Sequence, residues 1–331
     1  MTEGGAGAME RLIIDTDIGT YYDDAFAVLL AANSPELRFE GVTTCYGDTA
    51  LRAEIACKIL EFVGMPDVPV YAGIGDPLGE AEALMFGFEG QGIFDDGRPE
   101  KQPEPGSAVD FLVRMVRENP GEITICTLGA VTNVAAAIRQ DPTFVTNLKH
   151  LIIMGGVIVP VVDEKGITRS PIEEYNLNND PVAAKIVMNS GANITLVPID
   201  VTLRVPMAQR HIEAMEEASS KSAQMVSRIL KPWPEQERLI YLSVGIPTEF
   251  TGIWLHDPLT VAVAADPGLI TSARLHVATE YAPTLVPRDL LIRHDVLRTI
   301  PKKKAPNMNV AVDVDAERFT QLFADLIVDG R

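Results

Sequence analysis

The sequence predicts an α/β fold: a mainly parallel central sheet with helices on both faces, plus a helical C-terminal portion. Three observations lead there. Short β-rich runs alternate with helix-length amphipathic stretches over the first 200 residues, the rhythm of right-handed crossovers. From Thr202 the pattern turns helical, then returns briefly to strands before a closing helix. At 331 residues, with 47% hydrophobic and 22% charged residues, the chain is long and apolar enough to bury a large core.

Taken in order, residues 11–15 (RLIID) read as a buried strand, and 24–33 as a helix with apolar residues at helical spacing. A strand at 38–44, a helix at 50–63 and a short strand at 68–71 follow. Residues 73–105 are rich in Gly and Pro and weakly periodic, so they form a long loop of the kind that tends to be functional. Helices at 107–118, 133–139 and 180–189 alternate with strands at 122–127, 148–154 and 194–198. Helices are then expected at 208–229, 239–244 and 257–265, strands at 275–280 and 309–314, and a last helix at 316–328. No linker or internal repeat divides the chain. Residues 11–331 are expected to form one α/β domain behind a flexible extension, 1–10.

Charge and cysteine content exclude several classes. Lys and Arg number 28 against 46 Asp and Glu, a net charge of −18, which argues against nucleic-acid partners and anionic membranes. The longest apolar stretch, 151–162, is interrupted by Gly155, Gly156 and Pro160 and is too short to span a bilayer. The opening MTEGGAGAME lacks the basic start and apolar centre of a secretory signal. Three cysteines, Cys45, Cys57 and Cys126, make no disulfide scaffold and fit a reducing, cytoplasmic setting.

Chemistry concentrates in residues 15–24, DTDIGTYYDD, where Asp15, Asp17, Asp23 and Asp24 follow a buried strand and open a helix. Asp23 suits a helix N-terminus, which accounts for one or two of the four. Asp15 and Asp17 lie at the end of an apolar strand and need another reason. Crowded carboxylates repel unless a cation neutralises them, and oxygen-only ligands favour Ca²⁺ or Mg²⁺.

The run DTDIGTYYDDAFAVLLA resembles the opening signature of the nucleoside hydrolases, Ca²⁺-dependent enzymes that cleave the N-glycosidic bond of ribonucleosides. GVTTCYGDT, TLGAVTNVAAA, LIIMGG, EEYNLNNDPVAA, HDPLTVAVAADP and NMNVAVDVDAERF are similar to further family motifs, in the family's order. The resemblance covers nearly the whole chain. It implies Asp17 as general base and metal ligand, with Asp24, the Leu128 carbonyl and Asp257 completing a Ca²⁺ site. It implies Asp23 and Asn176 as ribose-hydroxyl ligands, Glu174 near the 5′-hydroxyl and Asp15 as support for the cluster. His256 matches the residue that protonates the departing base in some members, and Trp254, two residues before it, is a candidate base-stacking side chain beside Tyr21, Tyr22 and Phe250. The resemblance also implies a small ribonucleoside substrate and a homodimer or homotetramer.

Three positions depart from the family pattern. The segment from Asp17 to Asp23 is two residues longer than in the best-known members, a spacing found in other branches. Asp48 stands where many members carry an Asn that contacts ribose. Phe86, in MFGFEGQG, falls where the family segment often begins with His. Two other readings compete. Asp15, Asp17 and Thr20 match the Asp-x-Asp-x-x-Thr start of haloacid-dehalogenase-like Mg²⁺ phosphatases, but no late carboxylate pair follows. A non-catalytic Ca²⁺- or ribose-binding protein is the other. His294-Asp295 reads as a surface pair and Lys302–Lys304 as a solvated loop.

Overall fold

The computed structural model describes residues 9–80, 82–158, 161–162, 168–169, 174–243, 252–282, 288–294 and 304–330. The strands are β1 (Glu10–Thr16), β2 (Leu37–Thr44), β3 (Val70–Ala72), β4 (Ile123–Thr127), β5 (His150–Met154), β6 (Val161–Val162), β7 (Thr168–Arg169), β8 (Ile194–Val197), β9 (Ile270–Leu275), β10 (Val277–Ala282), β11 (Arg288–His294) and β12 (Met308–Val314). The helices are α1 (Asp23–Asn33), α2 (Thr49–Phe62), α3 (Ala108–Glu118), α4 (Thr132–Gln140), α5 (Phe144–Asn147), α6 (Tyr175–Asn179), α7 (Pro181–Met188), α8 (Ile199–Thr202), α9 (Gln209–Glu217), α10 (Lys221–Leu230), α11 (Trp233–Ser243), α12 (His256–Ala265) and α13 (Ala316–Asp329).

Eight strands form one sheet in the order β3-β2-β1-β4-β5-β8-β12-β9. Every pairing in it is parallel except β12 with β9. β10 pairs with β11 and β6 with β7, each antiparallel and outside the main sheet. The central strands are buried on both faces, which explains their nearly unbroken apolar sequences. Successive side chains of β1 enter opposite cores. Leu12 and Ile14 join α1, α2, α10, α12 and α13 on one face, while Ile13 joins α3, α4, α5 and α7 on the other. Phe26 of α1 meets Phe323 of α13 at a ring separation of 5.8 Å, tying the last helix to the first.

The chain leaves β1 toward β2 and β3 on one side, then crosses back to β4 and β5 on the other. Strand order reverses between β1 and β4, so their carboxyl ends diverge into a crevice, the usual ligand position in such sheets. Asp15 and Thr127 are register partners there, and Thr43 faces Asp15 from β2.

Some expected elements differ. The helix expected at 208–229 is two helices: the chain breaks at 218–220, where Ser220 Oγ accepts from the Ala223 N–H at 3.0 Å and starts α10. The strand expected at 275–280 is the junction of β9 and β10, and β9 itself was not foreseen. The helix expected from 239 begins at Trp233, and residue 244 lies outside the described residues. The boundary expected between residues 10 and 11 falls inside β1, which includes Glu10; residues 1–8 lie outside the described residues. No helix among the described residues is long and apolar enough to cross a membrane.

Candidate functional site

β1 carries the first acid into the crevice. Asp15 is fully buried, and its Oδ1 accepts from Thr43 Oγ1 at 2.6 Å and from Asn133 Nδ2 at 2.7 Å. Asn133, at the start of α4, also donates to the Thr44 carbonyl at 3.0 Å and accepts from the Ile74 N–H at 2.9 Å. One amide thus joins the ends of β1 and β2 to the segment after β3. Burial is the main cause that lifts the Asp15 pKa to about 7, with the Asp17 charge adding to it. Its Oδ2 is buried with no hydrogen-bond partner. Thr16 Oγ1 donates to Asp24 Oδ1 and accepts from the Ile18 N–H at 3.1 Å.

Two helix starts supply the rest of the acids. The first turn of α1 holds Asp23 and Asp24, and the first turn of α12 holds Asp257. All three are buried, and each offers an oxygen within 4.8 Å of the other two. Burial, then like charge, raises their pKa values: Asp23 to about 7, Asp24 and Asp257 well above the usual range. Tyr22 sets the two helix starts against each other. Its hydroxyl donates to the Trp254 carbonyl at 3.0 Å and accepts from the Trp254 N–H at 2.6 Å.

Asp17 is half-buried beside this trio and is near enough for its charge to act on all three. Its own pKa is raised by burial and pulled back by Arg52. A Cβ at residue 129 would stand 2.7 Å from Asp17 Oδ1, so only Gly129 lets the 128–130 backbone lie against this carboxylate. The next backbone carbonyl, Leu128, accepts from Asn176 Nδ2 at 2.9 Å, and Asn176 also reaches the Met154 carbonyl at 3.2 Å. Glu174 is buried and caps α6, accepting from the Leu177 N–H at 3.1 Å. Burial raises its pKa to about 7 against the pull of backbone N–H donors.

A divalent cation fits what the residues present. The donor set is hard oxygen only, three acids crowd at repulsive range, and Asp15 Oδ2, buried at the end of β1, has no hydrogen-bond partner. The grouping differs from the expected ligand set, because Asp23 joins Asp24 and Asp257 while Asp17 stands beside them.

His256 is half-buried, with Nδ1 2.7 Å from Thr202 Oγ1, and burial lowers its pKa to about 4, so the imidazole is neutral at pH 7. Trp254 is half-buried and bridges to Pro206. Asp48 is exposed, and its carboxylate caps α2 by accepting from the Leu51 N–H at 3.0 Å. Phe86 stacks on Phe88 at 5.6 Å. Tyr21 lies 6.1 Å from the Tyr175 ring and 5.5 Å from that of Trp233. Phe250, Asp295, Lys302 and Lys303 lie outside the described residues.

Two participants were not picked out from the sequence. Asn133 sat inside a motif already noted, TLGAVTNVAAA, without a role. Arg52, 1% exposed, is a charge placed among the apolar positions of α2, and that misplacement was its only signal.

A family model described as inosine-uridine preferring nucleoside hydrolase matches residues 12–321. The chain belongs to this family. Probable uridine nucleosidase 2 of Arabidopsis thaliana is 31% identical over 335 residues, covering 98% of this chain and 99% of the relative. Pyrimidine-specific ribonucleoside hydrolase RihA of Salmonella schwarzengrund is 29% identical over 322 residues, covering 95% and 97%. Among solved structures, the plant nucleoside hydrolase PpNRh1 matches with a TM-score of 0.82 and 32% identity over 96% of this chain and 99% of that one. A purine-preferring ribonucleoside hydrolase from Gardnerella vaginalis matches with a TM-score of 0.79 and 27% identity, over 97% and 98%. Membership of the nucleoside hydrolase family over nearly the whole chain sets aside the phosphatase reading.

Proposed function

We propose that this chain hydrolyses the N-glycosidic bond of ribonucleosides, releasing ribose and the free base, with Ca²⁺ bound at the aspartate cluster. The observation that carries the reading is the convergence of Asp23, Asp24 and Asp257 from helix starts far apart in sequence onto one buried point. Asp23, Asp24, Asp257 and the Leu128 carbonyl would hold the ion, which when bound neutralises the crowded acids and acidifies water. Asp17, beside the cluster and half-open to the crevice, takes the proton from the attacking water. Asp23 and the Asn176 Oδ1 would accept from ribose hydroxyls, with the Asn176 amide protons held by the Leu128 and Met154 carbonyls, and Glu174 would lie near the 5′-hydroxyl. The C–N bond breaks through an oxocarbenium-like state, and the surrounding acids favour its positive charge. His256, neutral at pH 7, pairs Nδ1 with Thr202 Oγ1, and the tautomer in which Nδ1 is the acceptor would leave Nε2–H to hydrogen-bond the departing base. Trp254, two residues before His256, would stack on it.

Relatives named for uridine, pyrimidine and purine nucleosides set the substrates for the test. The protein is incubated with inosine, uridine and cytidine, with calcium or with chelator, and reducing sugar is assayed. Calcium-dependent ribose release is expected with at least one nucleoside. Binding of nucleoside without ribose release would favour the non-catalytic reading. We also propose a homodimer or homotetramer, which light scattering after size exclusion would show, and a cytoplasmic location, in keeping with three buried free thiols.

A further inference from the structure

Arg52 is the largest fully buried side chain among the described residues, and its setting is unusual for a cation. A guanidinium has five N–H donors in a fixed planar fork. Here Nε donates to the Tyr46 carbonyl at 2.6 Å, Nη1 to the carbonyls of Asp17 and of Ile18 (2.8 Å for the latter), and Nη2 to Thr20 Oγ1 at 3.1 Å and Met85 Sδ at 3.4 Å. Every donor is engaged and every one of these partners is neutral. Burying a cation among neutral acceptors is costly, and the field of the nearby carboxylates offsets the cost. The charges of Asp17 and Asp24 both act on Arg52.

Three of the five contacts fall on one short stretch, Asp17, Ile18 and Thr20, which connects β1 to the paired acids of α1. That stretch has no regular secondary structure, and Gly19 takes a φ of +112° within it. The fourth contact holds Tyr46, a non-glycine residue at φ +61°, where β2 gives way to the turn before α2. Gly129 lies against Asp17, within the distance at which a Cβ would clash.

We propose that Arg52 is a positioning residue, whose fork grips the Asp17–Thr20 main chain and hydroxyl and so holds the Asp17 carboxylate, against Gly129, where it meets the attacking water. This rests on the hydrolase reading above for its kinetic consequence. The geometric claim stands by itself. A lysine keeps the charge but presents one point of donors, which cannot span Tyr46, Asp17, Ile18 and Thr20 together.

Arg52→Lys is compared with the unaltered chain for kcat and KM on whichever of inosine or uridine is hydrolysed, for its calcium-induced rise in Tm, and by crystallography. A displacement near 1 Å at a reacting group lowers kcat about 100-fold. The expected result is a kcat loss of that order, KM and the calcium midpoint within about 3-fold, and an Asp17 carboxylate visibly displaced. Near-normal kcat, a loss carried by KM alone, or an unmoved Asp17 would overturn the proposal. Should Arg52→Lys fail to fold, Thr20→Val removes one acceptor from the fork; about a 10-fold lower kcat is expected, restored in Thr20→Ser, and full activity in Thr20→Val counts against the role. If the unaltered chain releases no ribose, the functional reading fails, and the position of Asp17 in the Arg52→Lys crystal still decides the positioning role.

Discussion

Asp17 is constrained from two sides by groups that carry no negative charge: the Arg52 fork on its own carbonyl and the Gly129 backbone against its carboxylate. An acid held this way stays in place while its basicity is tuned, which a general base requires. Asp17→Asn preserves the shape and removes the proton acceptor. It is expected to lower kcat by about 10³-fold while the melting temperature stays within a few degrees, and a variant with ordinary kcat would remove Asp17 from the role. Tyr22 works differently, since its hydroxyl bonds both the N–H and the carbonyl of Trp254. Tyr22→Phe leaves that N–H and carbonyl without this partner. The expected loss is about 1–3 kcal/mol in urea unfolding, and no change in the midpoint would show that water replaces the hydroxyl freely. The acids of this site were legible because they stand in one dense motif and because HDPLT matches a family segment. Arg52 was not, since one arginine in a helix reads as part of a solvated face until the packing shows otherwise. Asp48 shows the reverse: a residue conspicuous in a motif turns out exposed and caps α2.

Elements are joined at their ends by the same few polar residues that end them. Asp180 is fully buried and caps α7 by accepting from the Ala183 N–H at 2.9 Å, while its other oxygen accepts from Thr132 Oγ1 at 2.7 Å and the Leu78 N–H at 2.8 Å. A cap, the first turn of α4 and the long 73–105 segment therefore share one carboxylate. Asp180→Ala removes a helix cap and takes the acceptor from the buried Thr132 hydroxyl and the half-buried Leu78 N–H, so a loss of about 3 kcal/mol is expected by chemical denaturation. A loss below about 1 kcal/mol would mean that the 78–80 segment relaxes without cost. The α/β rhythm from β1 to β8 was readable because buried parallel strands are apolar throughout. β9 was not, because ITSARL is an edge strand whose Thr271 and Ser272 face solvent and whose pattern carries little apolar signal. The break between α9 and α10 did have a signal, Ser219-Ser220 before Lys221, which helical periodicity on both sides outweighed.

At the scale of the whole molecule, the sheet brings acids from both ends of the sequence to the reversal between β1 and β4, and folding without a cation works against their repulsion. Asp15, Asp23 and Glu174 have pKa values near 7 in the folded chain, raised chiefly by burial, against about 4 in the unfolded chain. Between those limits the folded state binds more protons than the unfolded one. The slope of unfolding free energy with pH is proportional to unfolded minus folded protons, so it is negative here, and stability falls as pH rises from about 4 to about 7. Stability is then greatest near the lower limit and is not regained above the upper one by these groups. A bound divalent cation favours the ionised acids and reverses their contribution. At a calcium concentration about 1,000 times its Kd, linkage adds about 4 kcal/mol. Calorimetry in chelator is expected to show Tm decreasing from pH 5 to pH 8, and calcium to raise Tm more at pH 8 than at pH 5. A chelator series that is flat across this range, or a calcium increment larger at pH 5, would mean that the buried acids are neutralised by something other than protons or a cation, and the metal assignment would fall with it.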